Sequence, residues 1–227
     1  MVPLTPPWAD RQTAGRALAR QLLTLAPIPI PRLVLGLPRG GVIVAAPVAL
    51  ALQAPLHSWA VRKLALPEAP EVAIGAVAAG LACPVVIWES PERLPPMLRA
   101  ADRAALLDQQ WRELQRRQRL YGDPPPASLR DQALVVVDDG IATGLTVRAA
   151  LASLRELGPR LLMLAVPVAD RRVMDELRPL VDTLVVLHPV ASLRAVGGPY
   201  RRFEAVEDQE VLRTLAAVGR RHQKVIP

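Results

Sequence analysis

The chain has 227 residues, a formal net charge of +7 and a single cysteine, Cys83. One cysteine excludes an intrachain disulfide, and the length suits one domain with a full hydrophobic core better than two independent domains. Only 3% of the residues are aromatic and the arginines are scattered, which argues against a nucleic-acid surface built on base stacking. We therefore expect a single domain over residues 1–227, whose positive charge suits an anionic small molecule.

The longest apolar stretches, such as residues 42–54, are too short and too interrupted by proline to span a bilayer. The N-terminus also lacks the basic start and apolar core of a secretory signal. These features predict a cytoplasmic protein without a membrane partner.

The first predicted elements are an amphipathic helix over residues 10–25, a buried strand over 33–37 and an apolar helix over 42–52. Between strand and helix stand Pro38, Arg39, Gly40 and Gly41, which break the strand. Glycines beside an arginine at a helix N-terminus let an anionic ligand approach the backbone. The alternative is an ordinary turn with an exposed arginine.

Residues 56–63 alternate as a strand does and end in Arg62 and Lys63, before a proline-rich stretch over 64–70 that we expect to be mobile. Lys63 is unusual here, since only two of the 28 basic residues are lysines. A basic pair at a strand end can contact an anionic ligand. The alternative is a solvated charge pair.

The middle of the chain predicts a two-stranded ribbon, residues 72–79 and 83–88, around Gly80, followed by a long helix over 97–121. Residues 122–126 form a loop. We therefore expect residues 64–132 to form a large insertion between two strands of the core sheet.

The strongest signal follows the apolar run at residues 134–137, which is typical of a strand buried on both faces. Asp138 and Asp139 come next, and a helix begins near Leu145. The turn between them aims free N–H groups at one point beyond the strand, where a phosphate would bind. The two carboxylates suit sugar hydroxyls or a hydrated Mg²⁺. The alternative is that they only cap the next helix.

Further strands are predicted at residues 161–166 and 183–187, and further helices at 171–180 and 208–220. Strands that alternate with helices predict a doubly wound, mostly parallel α/β sheet with its binding loops at the carboxyl ends of the strands. The three histidines show no spacing typical of zinc ligands: His57, His188 and His222.

The segment from residue 134 to Thr146 resembles the phosphoribosyl pyrophosphate (PRPP) motif of type I phosphoribosyltransferases. The resemblance implies that Asp138 and Asp139 face the ribose hydroxyls and hold the Mg²⁺ cofactor through water or substrate. It also implies a 5′-phosphate loop. That loop comprises Gly140, Ile141, Ala142, Thr143, Gly144, Leu145 and Thr146.

Two positions depart from the family pattern. Leu145 stands where a second glycine is common, which is tolerable if only its amide is used. Ala142 stands where enzymes acting on 6-oxopurines carry an acidic residue, so that chemistry is disfavoured.

Residues 38–41 resemble the pyrophosphate loop of the same family, in which the peptide before the basic residue, here Pro38 to Arg39, is often cis. Arg62 and Lys63 resemble basic residues that meet the pyrophosphate in adenine-type and orotate-type enzymes, which implies a catalytic role for them. In the family, extra elements build a hood over the base. The resemblance therefore implies that part of residues 64–132 covers the site.

The chain also resembles a bacterial group of phosphoribosyltransferases in the segments 8–15 and 200–203. The resemblance implies Mg²⁺-dependent transfer of the phosphoribosyl group from PRPP to a nitrogen acceptor, with a homodimer as a common assembly. The acceptor stays open, and the residues available to stack on it are Trp88, Trp111 and Tyr200. The alternative is a regulator of the same fold that binds PRPP or a nucleotide without catalysis.

Overall fold

The computed structural model describes residues 7–25, 32–66, 68–69, 72–94, 98–193 and 195–223. Within these residues a five-stranded parallel sheet has the strand order β2, β1, β6, β7, β8. Its strands are β1 (Arg32–Gly36), β2 (Leu56–Ser58), β6 (Ala133–Val137), β7 (Leu161–Asp170) and β8 (Thr183–Val190). The doubly wound, mostly parallel fold expected from the sequence is confirmed.

A second sheet is antiparallel and has the order β3 (Val61–Ala65), β4 (Ala73–Ala78), β5 (Val85–Trp88). It lies in the chain between β2 and β6, so the predicted insertion between the second and third core strands is confirmed. Positions 67 and 70 of the stretch that we expected to be mobile lie outside the described residues.

The helices pack around the two sheets, and hydrophobic clusters lie on both faces of the parallel sheet. The helices are α1 (Arg11–Leu23), α2 (Gly40–Leu52), α3 (Ala100–Tyr121), α4 (Leu145–Arg155), α5 (Arg171–Leu177) and α6 (Asp208–Gln223). None of the helices in the described ranges is long and apolar enough to cross a membrane.

Strand β6 lies at the centre of the sheet and is buried at every position. Leu134 and Val136 belong to the hydrophobic cluster shared with α4 and the antiparallel sheet, and Val135 and Val137 to the cluster shared with α2. A strand buried on both faces needs no polar alternation, which explains the continuous apolar run. The strand therefore delivers Asp138 to the carboxyl edge of the sheet.

The single strand predicted over residues 56–63 is wrong. Its first three residues pair with β1, whereas the chain from Val61 onward pairs with β4 in the other sheet. The junction is held by polar contacts: the Trp59 Nε1–H donates to Ser153 Oγ at 3.0 Å, and the Ala60 N–H donates to Asp123 Oδ2 at 2.7 Å. Such long-range partners leave no periodic signal in the sequence.

Candidate functional site

Asp138 and Asp139 follow the central strand directly and lie side by side at its carboxyl end. The Asp139 N–H donates to Asp138 Oδ1 at 2.9 Å, which fixes the first carboxylate against the backbone of the second. Burial and mutual repulsion raise the pKa of Asp138 well above its usual range, and burial also raises the pKa of Asp139. The pair is thus a desolvated acidic centre that favours a proton donor or a cation beside it.

The loop after β1 packs directly against this pair. Strands β1 and β6 are parallel neighbours, and the Leu37 N–H donates to Val137 O at 2.9 Å. A Cβ on Gly41 would lie 2.9 Å from Asp138 Oδ1, and one on Gly40 would lie 2.7 Å from Asp139 Cγ. Because only glycine fits at both positions, the two predicted binding loops can lie directly against each other.

The Pro38–Arg39 peptide is cis, as the resemblance implied. Arg39 precedes the first turn of α2, and its side chain is partly exposed. Its Nη1 lies 3.7 Å from Glu207 Oε2 and 3.8 Å from Asp208 Oδ1 at the start of α6. At these distances the ion pairs are loose, so the guanidinium can exchange these carboxylates for an anionic ligand.

The loop after Asp139 has two parts that make different contacts. The Ile141 N–H donates to Val168 O and its carbonyl accepts from the Asp170 N–H, both at 3.0 Å. The Ile141 amide is therefore used by a bridge to β7 and is not free to bind a phosphate. Gly140 is buried, and a Cβ there would overlap Val196 and Val168.

The second part of the loop turns at Gly144, whose φ of 75° is in the left-handed region. Helix α4 begins at Leu145, whose side chain is buried in the main hydrophobic cluster and does not fill the turn. Thr143 is exposed and Thr146 is partly exposed. Within the described residues, no acceptor is recorded for the amides of residues 143–147, which therefore remain available to a phosphate.

Arg11 lies against Asp139, a contact that the sequence analysis did not predict. Its Nε donates to Asp139 Oδ2 at 2.8 Å, and its side chain is only 12% exposed. The guanidinium stacks on Phe203, with 3.6 Å between Cζ and the ring centroid. Tyr200 adds a hydrogen bond from its hydroxyl to Asp139 O at 2.5 Å. The only sequence signal for these residues was the resemblance of both segments to one bacterial group.

The contacts recorded for Asp139 thus come from the two ends of the chain and from Gly40. In the part of the chain that the structure describes, none comes from residues 64–132. The expectation that part of residues 64–132 covers the base stays a prediction, and the surroundings of Asp139 itself are built by the terminal segments. Physically, the parallel bridge between Trp8 and Tyr200 brings the terminal segments there instead.

Comparison with known proteins identifies the family. The model of the phosphoribosyl transferase domain matches residues 12–185. The chain belongs to the phosphoribosyl transferase family. Two proteins of Mycobacterium tuberculosis, named as candidate phosphoribosyl transferases MT0597 (strain CDC 1551) and Rv0571c (strain H37Rv), are each 40% identical over 204 residues. The match takes in 89% of this chain but 45% of theirs, so the chain spans about half the length of these curated relatives.

A solved structure is also similar to this chain. The crystal structure of TT1426 from Thermus thermophilus is 35% identical and has a TM-score of 0.66. The superposition covers 92% of this chain and 98% of the other. The phosphoribosyl transferase domain is therefore similar to TT1426 over almost its whole length.

Arg62 and Lys63 have different surroundings in this phosphoribosyl transferase domain. Adjacent residues of a strand point to opposite faces, and Arg62 donates to Gln110 Oε1 of α3 through Nε at 3.0 Å and Nη2 at 2.7 Å. Burial, together with the nearby cations Arg117 and Arg39, lowers the pKa of Arg62. Among the described residues, Lys63 has no ion-pair or hydrogen-bond partner, which leaves its ammonium group free for a ligand.

The three aromatic residues named for stacking do not form an acceptor platform at the acidic pair. Trp88 and Trp111 pack against the main hydrophobic cluster of the domain. Tyr200 is buried between Trp8 and Phe203, with ring centroids 5.7 Å and 4.9 Å away. Both neighbouring rings thus already pack against Tyr200, one of the three candidates for stacking on the acceptor.

Proposed function

We propose that this protein transfers the 5-phosphoribosyl group of PRPP to a nitrogen atom of a nucleobase-like acceptor and releases pyrophosphate. One observation carries the proposal: the glycine loop of residues 38–41 packs against Asp138 and Asp139, beside a helix N-terminus with unused amides. Pyrophosphate, diol and 5′-phosphate would then each meet a separate group of donors or acceptors. Membership of the phosphoribosyl transferase family supports this assignment.

The parts of the site have distinct roles in the proposal. The amides of residues 143–147 hold the 5′-phosphate at the positive end of the α4 dipole. Asp138 and Asp139 accept hydrogen bonds from the ribose hydroxyls. Arg39, with Gly40 and Gly41, holds the pyrophosphate, and Lys63 neutralises charge on it. Ile141 serves only to anchor the loop to β7.

Mg²⁺ fits the donor chemistry of this site. Mg²⁺ prefers oxygen ligands and is commonly held by one or two carboxylates together with substrate phosphates. Asp138 and Asp139 present adjacent carboxylates whose pKa is raised by burial and, for Asp138, by repulsion from Asp139, so a cation beside them would be favoured. Through water or substrate they would hold the ion, which would supply positive charge to the departing pyrophosphate.

The reaction needs no nucleophilic side chain. The bond from the anomeric carbon to the pyrophosphate oxygen breaks, and pyrophosphate keeps the electron pair. The acceptor nitrogen forms the new bond on the opposite face, and its proton leaves to solvent. The protein contributes by holding the reactants in line and stabilising the charge that develops on pyrophosphate.

The decisive experiment has two stages. Calorimetry with PRPP and Mg²⁺ measures binding, and a pyrophosphate-release assay across purine and pyrimidine bases then measures turnover. We expect both, and we expect Asp138→Asn to weaken both. Absence of PRPP binding would overturn the proposal. Binding without turnover on any base would indicate the alternative, a regulator that senses PRPP.

A further inference from the structure

Arg11, at the first position of α1, lies outside the residues that match the family model. Its guanidinium nevertheless contacts the acidic pair, with Nε 2.8 Å from Asp139 Oδ2. Its Nη1 donates to Glu204 O at 2.9 Å, and Phe203 covers one face of the guanidinium plane. Three independent contacts fix this side chain, so its place at the site does not depend on a single flexible pair.

The contact occupies one carboxylate oxygen of Asp139. Oδ2 is held by Arg11, and the same oxygen lies against Gly40, where a Cβ would overlap it. In the described residues, no hydrogen-bond donor is recorded for Asp139 Oδ1. A carboxylate gripped on one oxygen by a charge-assisted hydrogen bond presents the other in a fixed direction.

We propose that Arg11 is a positioning residue, whose guanidinium holds the Asp139 carboxylate so that its free oxygen faces the ribose hydroxyl of PRPP. This inference rests on the proposed function, because it assigns Asp139 to the sugar. Arg11 itself acts on the ligand only through Asp139. A carboxylate held in advance binds a diol more tightly than one that must be ordered on binding.

The C-terminal segment 199–204 completes the arrangement. Trp8 forms a parallel bridge with Tyr200, and the Arg202 N–H donates to Ala9 O at 3.0 Å. Through this pairing the segment delivers Phe203 to the Arg11 guanidinium and the Tyr200 hydroxyl to Asp139 O. The two ends of the chain therefore hold Arg11 and Asp139 against each other.

A double-mutant cycle tests the inference. Calorimetry with PRPP and Mg²⁺ is carried out on the wild-type protein, Arg11→Gln, Asp139→Asn and the double variant, with competition used where binding is weak. We expect Arg11→Gln alone to weaken PRPP binding by about tenfold or more, the range of a charge-assisted hydrogen bond. In the Asp139→Asn background the same change should alter binding by less than about twofold, because no carboxylate is left to position.

Arg16→Gln is the matched control, since Arg16 lies on the same helix, is exposed and, among the described residues, donates to Thr13 Oγ1 alone. It should bind PRPP as the wild-type protein does. If Arg11→Gln does not fold, Arg11→Lys, which keeps the charge but cannot reproduce the stacked guanidinium, replaces it in the cycle. An equal loss in both Asp139 backgrounds, or no loss at all, overturns the inference while the wild-type protein still binds PRPP. Failure of the wild-type protein to bind PRPP overturns the proposed function and this inference with it.

Discussion

Gly40 and the Asp139 carboxylate lie so close together that no side chain fits between them: a Cβ on residue 40 would be 2.7 Å from Asp139 Cγ and 2.8 Å from Arg11 Nε. The residue after Arg39 thus touches the group assigned to the sugar. A substitution in either loop should therefore displace groups of the other loop. This coupling makes Gly40 a sharp probe of the site.

Gly40→Ala should abolish measurable PRPP binding, because the new methyl group displaces the Asp139 carboxylate and its partner Arg11. Gly219→Ala is the control: Gly219 lies in α6 with open space around its Cβ position. In an exposed helix the change from glycine to alanine should stabilise the protein by up to about 1 kcal/mol. Calorimetry with PRPP and a thermal unfolding curve check both variants. PRPP binding by Gly40→Ala at wild-type strength would contradict the packing of the two loops.

Asp138→Asn should weaken PRPP binding by about 2 kcal/mol while leaving the protein at least as stable as before. The pKa of Asp138 is raised by burial and by repulsion from Asp139, so its ionised form destabilises the fold at neutral pH. The amide removes that repulsion. Chemical denaturation at pH 7 and calorimetry separate the two effects. A loss of stability with unchanged PRPP affinity would instead favour a capping role for the aspartate.

Gly144→Ala should destabilise the protein more than Gly158→Ala does. Both glycines have φ near 70° in the left-handed region, where an alanine costs about 1 kcal/mol. At Gly144 the new Cβ would also lie 2.5 Å from Val173 Cγ1, whereas at Gly158 nothing lies within 4 Å. The free energies of unfolding of the two variants give the difference directly. Only Gly144→Ala should also weaken binding of ribose 5-phosphate, because Gly144 shapes the amide turn before α4.

Lys63→Met should lower pyrophosphate affinity and turnover by at least about tenfold, since a charged group at the leaving group is lost. Its effect on stability should be small, because the described residues include no partner for its ammonium group. Arg112→Gln, which removes an exposed arginine paired with Asp108, serves as the control for net charge. Turnover of Lys63→Met equal to that of Arg112→Gln would discard the role assigned to Lys63.

Asp123 should make the stability of the protein fall as the pH rises from about 4 to about 6. Burial raises the pKa of Asp123 from 3.8 to about 6, against opposing hydrogen bonds from Ser58 and Ala60. Below the pKa that Asp123 has in the unfolded chain, the group is protonated in both states and does not lower the free energy of unfolding. Once Asp123 is ionised in the folded state, its burial lowers the free energy of unfolding by about 3 kcal/mol.

Asp123→Asn tests this directly. The amide oxygen can still accept from the Ala60 N–H, but the group no longer titrates. The free energy of unfolding of both proteins is measured by denaturation from pH 4 to pH 7. As the pH rises, the wild-type protein should lose stability relative to the variant. A difference that is constant with pH would contradict the assignment.

The local parts of the site could be predicted from the sequence because each has a short-range cause. The continuous apolar run before Asp138 predicted a strand buried on both faces, and the residues after Asp139 predicted a turn before α4. The Pro38 to Gly41 break predicted the second loop. In each case the conformational preference of neighbouring residues decides the outcome.

Contacts between distant residues could not be predicted in the same way. The strand expected over residues 56–63 divides between two sheets because Asp123 and Ser153 hold the junction. The Ile141 amide is taken by Val168, and Tyr200 is enclosed by Trp8 and Phe203. No pattern of spacing along the chain records such partners.

The sequence by itself determined the class of fold, the order of the elements and the two loops at the carboxyl edge of the sheet, since hydrophobic periodicity and turn residues act locally. Only the tertiary structure decided which groups surround Asp139. Arg11 and Asp139 are 128 positions apart in the chain. Their contact arises because the sheet and the pairing of Trp8 with Tyr200 bring the terminal segments to the end of the central strand.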